Sequence, residues 1–302
     1  IVSVKVGEKG QIIVLVEFKL DIKDTLSSEF YNIMTYEEAK EIVNAGYKEI
    51  TLLGQNVNSY GKGLEHPISF AELLRKVNDI PGDFRIKFMT SHPKDCTREL
   101  LEAIRDCEKV CHYIHLPVQS GSDDVLRRMN RHYTADEYAA GCDLLRRAWP
   151  DAAITTDIIV GFPGETEEDF EETLSFVKRI GFYEAHVFKY SRRKGTVADR
   201  MDGQLTEAVK TARSARLISL CDGCSHDFRA RFLGRGVTFL YEEAIVHDGE
   251  NYLTGFTPEY IRCLLPLPAF AAFAAPVPGA LITAEATGLV TVKNLGECLL
   301  LK

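Results

Sequence analysis

Two histidines and an aspartate are the side chains of this sequence best suited to proton transfer. His92 and His115 lie near the ends of predicted strands, where an imidazole can act as an acid or a base. Asp157 lies inside a predicted buried strand, so its carboxylate needs a cationic partner such as Arg193 or Lys189. A single histidine is more often a structural hydrogen-bonding group, so an acid–base enzyme that uses these three residues stays one hypothesis among several.

A glycine-rich loop follows the same buried strand. Residues 154–160 are mostly apolar and β-branched, and Gly161 and Gly164 then open the backbone. Thr166 and Asp169 have the spacing of a capping box, which predicts that a helix begins there. Such a turn can present backbone amides to a ligand, although an ordinary tight strand–helix connection has the same pattern. Glu165 in this loop either accepts a hydrogen bond from a ligand or caps the helix.

The elements that must position these groups alternate between strand and helix from residue 35 to 232. Thr35 and Glu38 predict the start of the first helix, and five strand–helix units follow in order. Capping boxes are also predicted at Ser69 with Glu72 and at Thr134 with Glu137. Parallel strands in a barrel or an open sheet place ligands at their carboxyl ends. Loops rich in Gly, Pro, amide and hydroxyl groups follow the predicted strands at 54–58, 89–93, 117–122, 161–165 and 190–196. We expect these five loops to form one polar site.

Self-sufficient catalytic motifs are absent from the sequence. It has no G-x-S-x-G, H-E-x-x-H or G-x-x-x-x-G-K-[ST] segment. The polar rim is therefore predicted to hold a cofactor that performs the chemistry.

The pattern changes after residue 232. Asp248-Gly249 is a hairpin signal, and about 70 residues of short strands fit a small five-stranded barrel. The strands are predicted at Val237–Tyr241, Tyr252–Phe256, Tyr260–Leu264, Leu281–Glu285 and Leu289–Val292. The first 34 residues fit neither pattern and predict a hairpin about Gly7–Gly10.

Charge and composition restrict the classes of function. The 302 residues carry a net charge of −8, which argues against unfocused nucleic-acid binding. Residues 189–236 nevertheless hold eleven Lys or Arg against five Asp or Glu, either as a plain surface or facing phosphate. No apolar run is long enough to span a membrane, so we expect a cytoplasmic protein. We also expect a monomer.

The eight cysteines are scattered and form no secreted disulfide pattern. They are Cys96, Cys107, Cys111, Cys142, Cys221, Cys224, Cys263 and Cys298. One C-x-x-C pair, Cys221 with Cys224, lies in a predicted helix without a second pair nearby, so buried free thiols are expected throughout.

Six segments together resemble the radical SAM tRNA methylthiotransferases. They are residues 51–61, 89–95, 115–122, 126–131, 154–166 and 190–196. The resemblance implies a partial (β/α)6 barrel of the TIM type, followed by a small RNA-binding β-barrel called a TRAM domain. The implied activity is insertion of a methylthio group at carbon 2 of a hypermodified adenosine beside the tRNA anticodon. The family uses S-adenosylmethionine and two [4Fe-4S] clusters.

The resemblance also assigns residues to roles. Contacts to S-adenosylmethionine are implied for Gly54, Gln55, Asn56, Gln119, Ser120, Gly121, Ser122, Asp157, Ile159 and Gly161. Contacts to tRNA are implied for Arg192, Arg193, Lys194 and Thr196. A guanidinium such as that of Arg193 suits a carboxylate or a phosphate.

The sequence departs from the family in two respects, since we expect neither the amino-terminal domain that carries the second cluster nor the loop that holds the radical-generating cluster. Members hold the radical-generating cluster on a C-x-x-x-C-x-x-C loop before the position that corresponds to residue 36, and this sequence has no cysteine before Cys96. Thiolates ligate such clusters, so we expect no cluster-binding residues here and no reduction of S-adenosylmethionine by the chain as written. Two alternatives stay open, a non-catalytic tRNA-binding module and an unrelated barrel enzyme.

The predicted organisation is a segment of unknown role at 1–34, the barrel at 35–232 and the small β-barrel at 233–302. The substrate subtype is mixed. Residues before 131 resemble enzymes that act on dimethylallyl- or isopentenyl-adenosine, whereas 182–196 and 254–262 resemble those that act on threonylcarbamoyl-adenosine. We lean to the second, because 255–262 lies in the domain expected to contact RNA.

Overall fold

The computed structural model describes residues 2–6, 12–16, 28–52, 57–61, 68–89, 97–267 and 276–302. The strands are β1 Val2–Val6, β2 Ile12–Val16, β3 Glu49–Leu52, β4 Arg85–Phe88, β5 Tyr113–His115, β6 Ala153–Val160, β7 Glu184–Lys189, β8 Gly236–His247, β9 Glu250–Phe256, β10 Arg262–Pro266, β11 Leu281–Val292 and β12 Gly296–Leu301. The helices are α1 Ser28–Asn44, α2 Phe70–Asn78, α3 Arg98–Asp106, α4 Asp123–Arg128, α5 Ala135–Ala148, α6 Glu167–Ile180 and α7 Glu207–Ala230. The chain forms two compact units, residues 1–90, 97–113 and 229–302 in the first and residues 91–96 and 114–228 in the second.

The first unit contains a four-stranded sheet in the order β1-β2-β3-β4. β1 and β2 are antiparallel, as the predicted hairpin requires. β2 also pairs in parallel with β3, and β3 pairs in parallel with β4. Residues 12–16 therefore take part in the β/α alternation, a pairing that the expectation for residues 1–34 did not include. The predicted domain boundaries themselves stay a prediction.

The helix starts of the first unit confirm one predicted cap and contradict another. Ser69 and Glu72 form the predicted capping box of α2, which is worth about 1 kcal/mol, and Thr97 caps α3. The predicted cap at Thr35 is wrong, because α1 already begins at Ser28 and Thr35 lies inside it. A Thr-x-x-Glu sequence is also compatible with a helix interior, since neither residue type prevents helical dihedral angles.

A closed barrel of five strands forms the carboxyl-terminal part of the first unit, in the order β10-β12-β11-β8-β9. Asp248 and Gly249 connect β8 to β9 with positive φ angles of 49° and 82°, as the hairpin prediction requires. The predicted break between two strands at 285 and 289 is wrong. A β-bulge between Ala286 and Gly288 keeps β11 continuous, and β12 is the fifth strand.

A buried polar cluster connects the β9–β10 loop to β3 and β4. Arg85 Nε lies 2.5 Å from Glu49 Oε2, and Arg85 Nη1 donates to the carbonyl of Phe256 at 2.7 Å. The hydroxyl of Tyr260 donates to Glu49, and the Lys87 ammonium lies 3.1 Å from the centre of the Tyr260 ring. This part of the small barrel is therefore fixed to the sheet by charge pairs and an aromatic ring.

The second unit contains a three-stranded parallel sheet in the order β5-β6-β7. Capping boxes start α5 at Thr134 and α6 at Thr166, both as predicted. Gly181 ends α6 in the left-handed conformation with φ 62°, which removes the steric cost that a side chain would carry there. The tight connections place the carboxyl end of β6 next to the amino terminus of α6.

The strands β2 to β4 of the first unit and β5 to β7 of the second each precede a helix along the chain, as expected for the predicted α/β fold of the partial-barrel type. The small closed β-barrel follows them. Among the helices that the structure describes, none is long and apolar enough to cross a bilayer.

Candidate functional site

One face of the β5-β6-β7 sheet carries polar and half-exposed side chains. Along β6 the exposed fraction alternates, so Asp157 and Ile159 are half-buried while Ile158 and Val160 are fully buried. The register of β6 with β7 pairs Asp157 with His186 and Ile159 with Phe188. We call this surface, formed by His115, Asp157, Ile159, His186 and Phe188, the polar face of the sheet.

Two imidazoles and a carboxylate meet on the polar face. His115 Nε2 lies 3.5 Å from Asp157 Oδ2, and the rings of His115 and His186 are 5.8 Å apart between centroids. The other nitrogen of His115, Nδ1, lies 2.9 Å from Thr155 Oγ1. Among the described residues the basic side chain beside Asp157 is thus that of His115, whereas Lys189 lies 3.5 Å from Glu207. The expected partners Lys189 and Arg193 were wrong.

Sequence reasoning missed His186 and Phe188. Phe188 keeps about half of its surface exposed, which is unusual for a phenylalanine in a strand. The signal that could have found both residues is their alternate spacing in β7, because positions two apart in a strand lie on the same side of a sheet.

The loop after β5 is anchored by its own backbone and side chains. Gln119 adopts a left-handed conformation with φ 73°, and its N–H and carbonyl bond to Asp157 and Ile159 at 2.9 Å each. The hydroxyl of Ser122 donates to Asp169 at 2.6 Å, and that of Ser120 lies 3.2 Å from Thr173 Oγ1. Both serines are buried, so their hydroxyls hold the loop against α6. The side chain of Gln119 is half-exposed and can contact a ligand.

Gly121 is fixed in this loop by close packing. Its N–H donates to Thr173 Oγ1 at 3.1 Å, and an added Cβ would lie 2.6 Å from Phe176 Cβ and 2.8 Å from Thr173 Cα. The glycine is therefore needed for contact with α6.

The loop after β6 is organised by a buried charge pair. Gly161, with φ 74°, donates its N–H to Glu165 Oε2 at 2.8 Å. The same carboxylate oxygen lies 2.5 Å from Arg213 Nη1 of α7. Burial raises the pKa of Glu165, against the lowering effect of the Gly161 N–H and Arg213. The predicted capping role of Glu165 is wrong, because Thr166 caps α6, and the Glu165 carboxylate is instead an internal acceptor that shapes the loop.

A buried tyrosine hydroxyl lies at the carboxyl end of β7. Tyr190 packs edge-to-face on Phe162 at 5.3 Å, and Lys210 lies 5.6 Å from the centre of the Tyr190 ring. An added Cβ on Gly161 would clash with Lys210, so these residues are tightly packed. Within the described residues the Tyr190 hydroxyl is buried and has no hydrogen-bond partner. Such a group is what a polar ligand at this rim would satisfy.

The predicted RNA-binding segment is exposed and partly self-bonded. Arg192 donates to Asp199 Oδ1 at 3.0 Å and to the Asp199 carbonyl at 2.6 Å. Thr196 donates to the carbonyl of Arg193 at 2.8 Å. The side chains of Arg193 and Lys194 are exposed, so these two are the cations best placed for a phosphate.

The remaining predicted residues cannot be placed. Gly54, Gln55, Asn56 and His92 lie outside the described residues. Asn58 follows the first three in sequence, and its buried amide has no hydrogen-bond partner among the described residues.

The cysteines of the described part do not fit an iron–sulfur cluster. Burial raises the pKa of Cys107 to about 11 and that of Cys221 to about 12, so these thiols resist becoming the thiolates that clusters require. Within the described residues, the metal-binding side chains that lie close enough together to hold one ion are those of His115, Asp157 and His186. None of these three is a cysteine. Neither cysteine of the C-x-x-C pair on α7, Cys221 or Cys224, belongs to that group of three residues.

Comparison with known proteins defines the class first. Residues 31–177 match the model of the radical SAM superfamily. The coproporphyrinogen III oxidase HemN from Escherichia coli, a radical SAM enzyme, has a similar fold, with a TM-score of 0.50 and 17% identity over 65% of this chain and 46% of that chain. This match relates nearly half of the chain to the radical SAM superfamily.

Comparison with individual proteins indicates a narrower class than the superfamily. The chain is 56% identical over 220 residues to the tRNA-2-methylthio-N(6)-dimethylallyladenosine synthase of Thermoanaerobacter pseudethanolicus, covering 73% of this chain and 46% of that protein. It is 58% identical over 182 residues to the protein of the same name from Clostridium botulinum strain Eklund 17B, covering 60% and 40%. The predicted resemblance to tRNA methylthiotransferases is confirmed, and the chain spans less than half the length of these relatives.

Proposed function

We propose that this chain is the cofactor-binding barrel and the carboxyl-terminal β-barrel of a tRNA methylthiotransferase that acts on dimethylallyladenosine. The observation that carries the proposal is the 56–58% identity to proteins of that name. At such identity over about 200 residues the fold and the positions of the site residues are expected to be shared. Because those relatives are more than twice as long as the matched segment, the activity is proposed for a protein that also supplies the cluster-binding residues.

S-adenosylmethionine is the proposed ligand of the rim at the carboxyl ends of β5, β6 and β7. The half-exposed Gln119 and Ile159 and the unpartnered hydroxyl of Tyr190 support this position. This cofactor carries a transferable methyl group and an adenosyl group. Ile159 offers an apolar surface to an adenine ring, and Gln119 offers an amide to a polar edge. The cluster itself is not a part of this proposal, since the described cysteines do not fit it.

The tRNA is proposed to contact the exposed cations Arg193 and Lys194. Polyanionic RNA binds through phosphates, and these cations follow the strand whose end carries Tyr190. A tRNA substrate also supports a cytoplasmic location. A monomer remains our expectation.

The substrate subtype follows the relatives here. Relatives from Thermoanaerobacter and Clostridium at 50–58% identity are named for dimethylallyladenosine. We therefore propose dimethylallyladenosine as the substrate, although the segments 182–196 and 254–262 resemble enzymes of the threonylcarbamoyl type.

The test adds a cluster-binding segment to the chain. The amino-terminal half of the Thermoanaerobacter relative, with its cluster-binding segment, is fused before the barrel and expressed in a bacterium that lacks its own dimethylallyladenosine methylthiotransferase. Mass spectrometry of tRNA nucleosides should detect the 2-methylthio derivative of dimethylallyladenosine. The relative's amino-terminal half alone is the control and should give none.

The other outcomes distinguish between the alternative functions. A methylthio derivative of threonylcarbamoyladenosine would overturn the subtype and keep the class. If the fusion folds and binds S-adenosylmethionine but tRNA stays unmodified, the enzyme proposal fails. Retained tRNA binding in that case would favour a non-catalytic module.

A further inference from the structure

We propose that His115, Asp157 and His186 bind a divalent transition-metal ion of the Zn²⁺, Fe²⁺ or Co²⁺ type. One donor atom from each residue lies within 4.8 Å of the others. Two imidazoles and a carboxylate form a donor set that suits these ions, and it differs from the thiolates that hold iron–sulfur clusters. The inference does not rest on the proposed function.

The sheet itself brings the three donors together. Asp157 and His186 are register partners in β6 and β7, so their side chains leave the same side of the sheet. His115 ends β5, and Leu116 beside it donates its N–H to the carbonyl of Thr155 at 2.8 Å. Three neighbouring strands therefore present one ligand each, and none of the ligands depends on a long loop.

The hydrogen bond of His115 to Thr155 supports a metal at the other ring nitrogen. The hydroxyl of the buried Thr155 points at the carbonyl of Ile114, 3.5 Å away, so Thr155 Oγ1 is available to accept from Nδ1–H of His115 at 2.9 Å. Nε2 then carries a lone pair, which faces Asp157 Oδ2 at 3.5 Å. In this tautomer a metal ion between the two electron-pair donors would relieve their repulsion, whereas in the other tautomer Nε2–H would donate to Asp157. A histidine held by a hydroxyl at its far nitrogen is also the usual arrangement around a metal.

Burial decides what kind of metal site this is. The side chain of His115 is 11% exposed and that of Asp157 is 28% exposed, whereas His186 belongs to the exposed residues. His115 is therefore the fixed ligand, and His186 can close the remaining distance by rotating its side chain. Three protein ligands leave at least one coordination position open. The site would bind water or a substrate atom there, two residues along β6 from Ile159.

Metal titration of the full chain tests the proposal. After treatment with a chelator, the chain is titrated with Zn²⁺ by calorimetry and with Co²⁺ by visible absorption. We expect one ion per chain, a Co²⁺ spectrum without a thiolate charge-transfer band, and a melting temperature that rises with Zn²⁺ concentration.

Variants assign the ligands. His186→Ala removes an exposed side chain, so the fold should persist while Zn²⁺ affinity falls at least about 10-fold. Asp157→Asn keeps the shape of the residue and should weaken binding likewise. Thr155→Val, which removes only the acceptor for Nδ1, should weaken Zn²⁺ binding without abolishing it. His132→Ala changes a histidine outside the cluster and should leave the affinity unchanged, as should the double variant Cys221→Ser/Cys224→Ser.

Three results would overturn the site. They are no saturable binding of either metal, binding with the same affinity in His186→Ala and Asp157→Asn, or a thiolate band that disappears in the cysteine double variant. In the first case the Nε2–H of His115 would donate to Asp157, and the melting temperature would not respond to metal.

Discussion

Arg213 of α7 and Glu165 of the loop after β6 form a buried ion pair, with Nη1 2.5 Å from Oε2. Only 7% and 1% of these two side chains are exposed. The same carboxylate accepts the N–H of Gly161, so one acidic group sets the course of the loop and attaches a helix to it.

Arg213→Met should destabilise the protein by about 3–5 kcal/mol, because it leaves the buried carboxylate of Glu165 without its cation. The loss is expected to shrink at acidic pH. Burial already raises the pKa of Glu165, and removal of Arg213 raises it further, so protonation at low pH neutralises the unpaired charge. Urea unfolding of both proteins from about pH 5 to about pH 8 measures the difference. Arg216→Met, at an exposed pair with Glu167, is the control and should change little. Equal losses in the two variants would contradict the assignment.

Gly121 and Gly141 give a second matched pair. Gly121→Ala should cost about 1–3 kcal/mol, because its Cβ would press on Phe176 and Thr173 of α6. Gly141→Ala lies within α5 with no atom near the new Cβ and should stabilise by about 0.5–1 kcal/mol. Thermal unfolding should move in opposite directions for the two variants. A stable Gly121→Ala protein would show that the loop has room.

Tyr260→Phe tests the attachment of the β9–β10 loop. It removes the hydroxyl that donates to the buried Glu49, a loss of about 1.5–3 kcal/mol for a hydrogen bond to a charged acceptor. Tyr252→Phe removes an exposed hydroxyl that donates to Glu250 and is the matched control, with little change expected. The free energy of unfolding in urea measures both. If the two variants behave alike, the buried cluster does not stabilise the loop.

Glu242 should make stability depend on pH. Burial raises its pKa from 4.5 to about 7. Because the folded-state pKa is the higher one, this contribution is full below 4.5 and is lost as the pH rises through about 7. Glu242→Gln should therefore flatten the fall in stability over that interval, whereas Glu243→Gln should keep it. An unchanged profile in Glu242→Gln would place the titration elsewhere.

Arg193 and Lys194 should control the salt dependence of tRNA binding. The double variant Arg193→Ala/Lys194→Ala should weaken binding and reduce the slope of log K against log salt by about 1 for each lost phosphate contact. Arg192→Ala should have a smaller effect, because Asp199 already holds that guanidinium. Filter binding at several salt concentrations gives the slopes. An unchanged slope would exclude this segment from the interface.

Local rules predicted much of the fold. The capping boxes at Ser69, Thr134 and Thr166 depend on residues three apart, so the sequence contains all of their information. The continuity of β11 was not predictable in the same way. The bulge between Ala286 and Gly288 is stabilised by pairing with β12, a partner that local propensity does not include.

The site was predicted less completely than the fold. Sequence placed polar residues in the loop after β5, but packing against α6 decides that Ser120 and Ser122 turn inward. His186 became a candidate only through its register with Asp157, because a strand pairing joins residues far apart in the chain. Strand ends can be read locally, whereas the neighbours of each side chain depend on tertiary structure.

The parallel pairing of β10 with β12 has a consequence for truncated forms of the protein. A chain that stopped before Gly296 would lose β12, and β10 and β11 would then each expose an unpaired row of backbone N–H and C=O groups. Two new sheet edges on an otherwise folded molecule favour strand exchange between copies. The last six-residue strand, 296–301, thus protects the protein from self-association as much as it completes its fold.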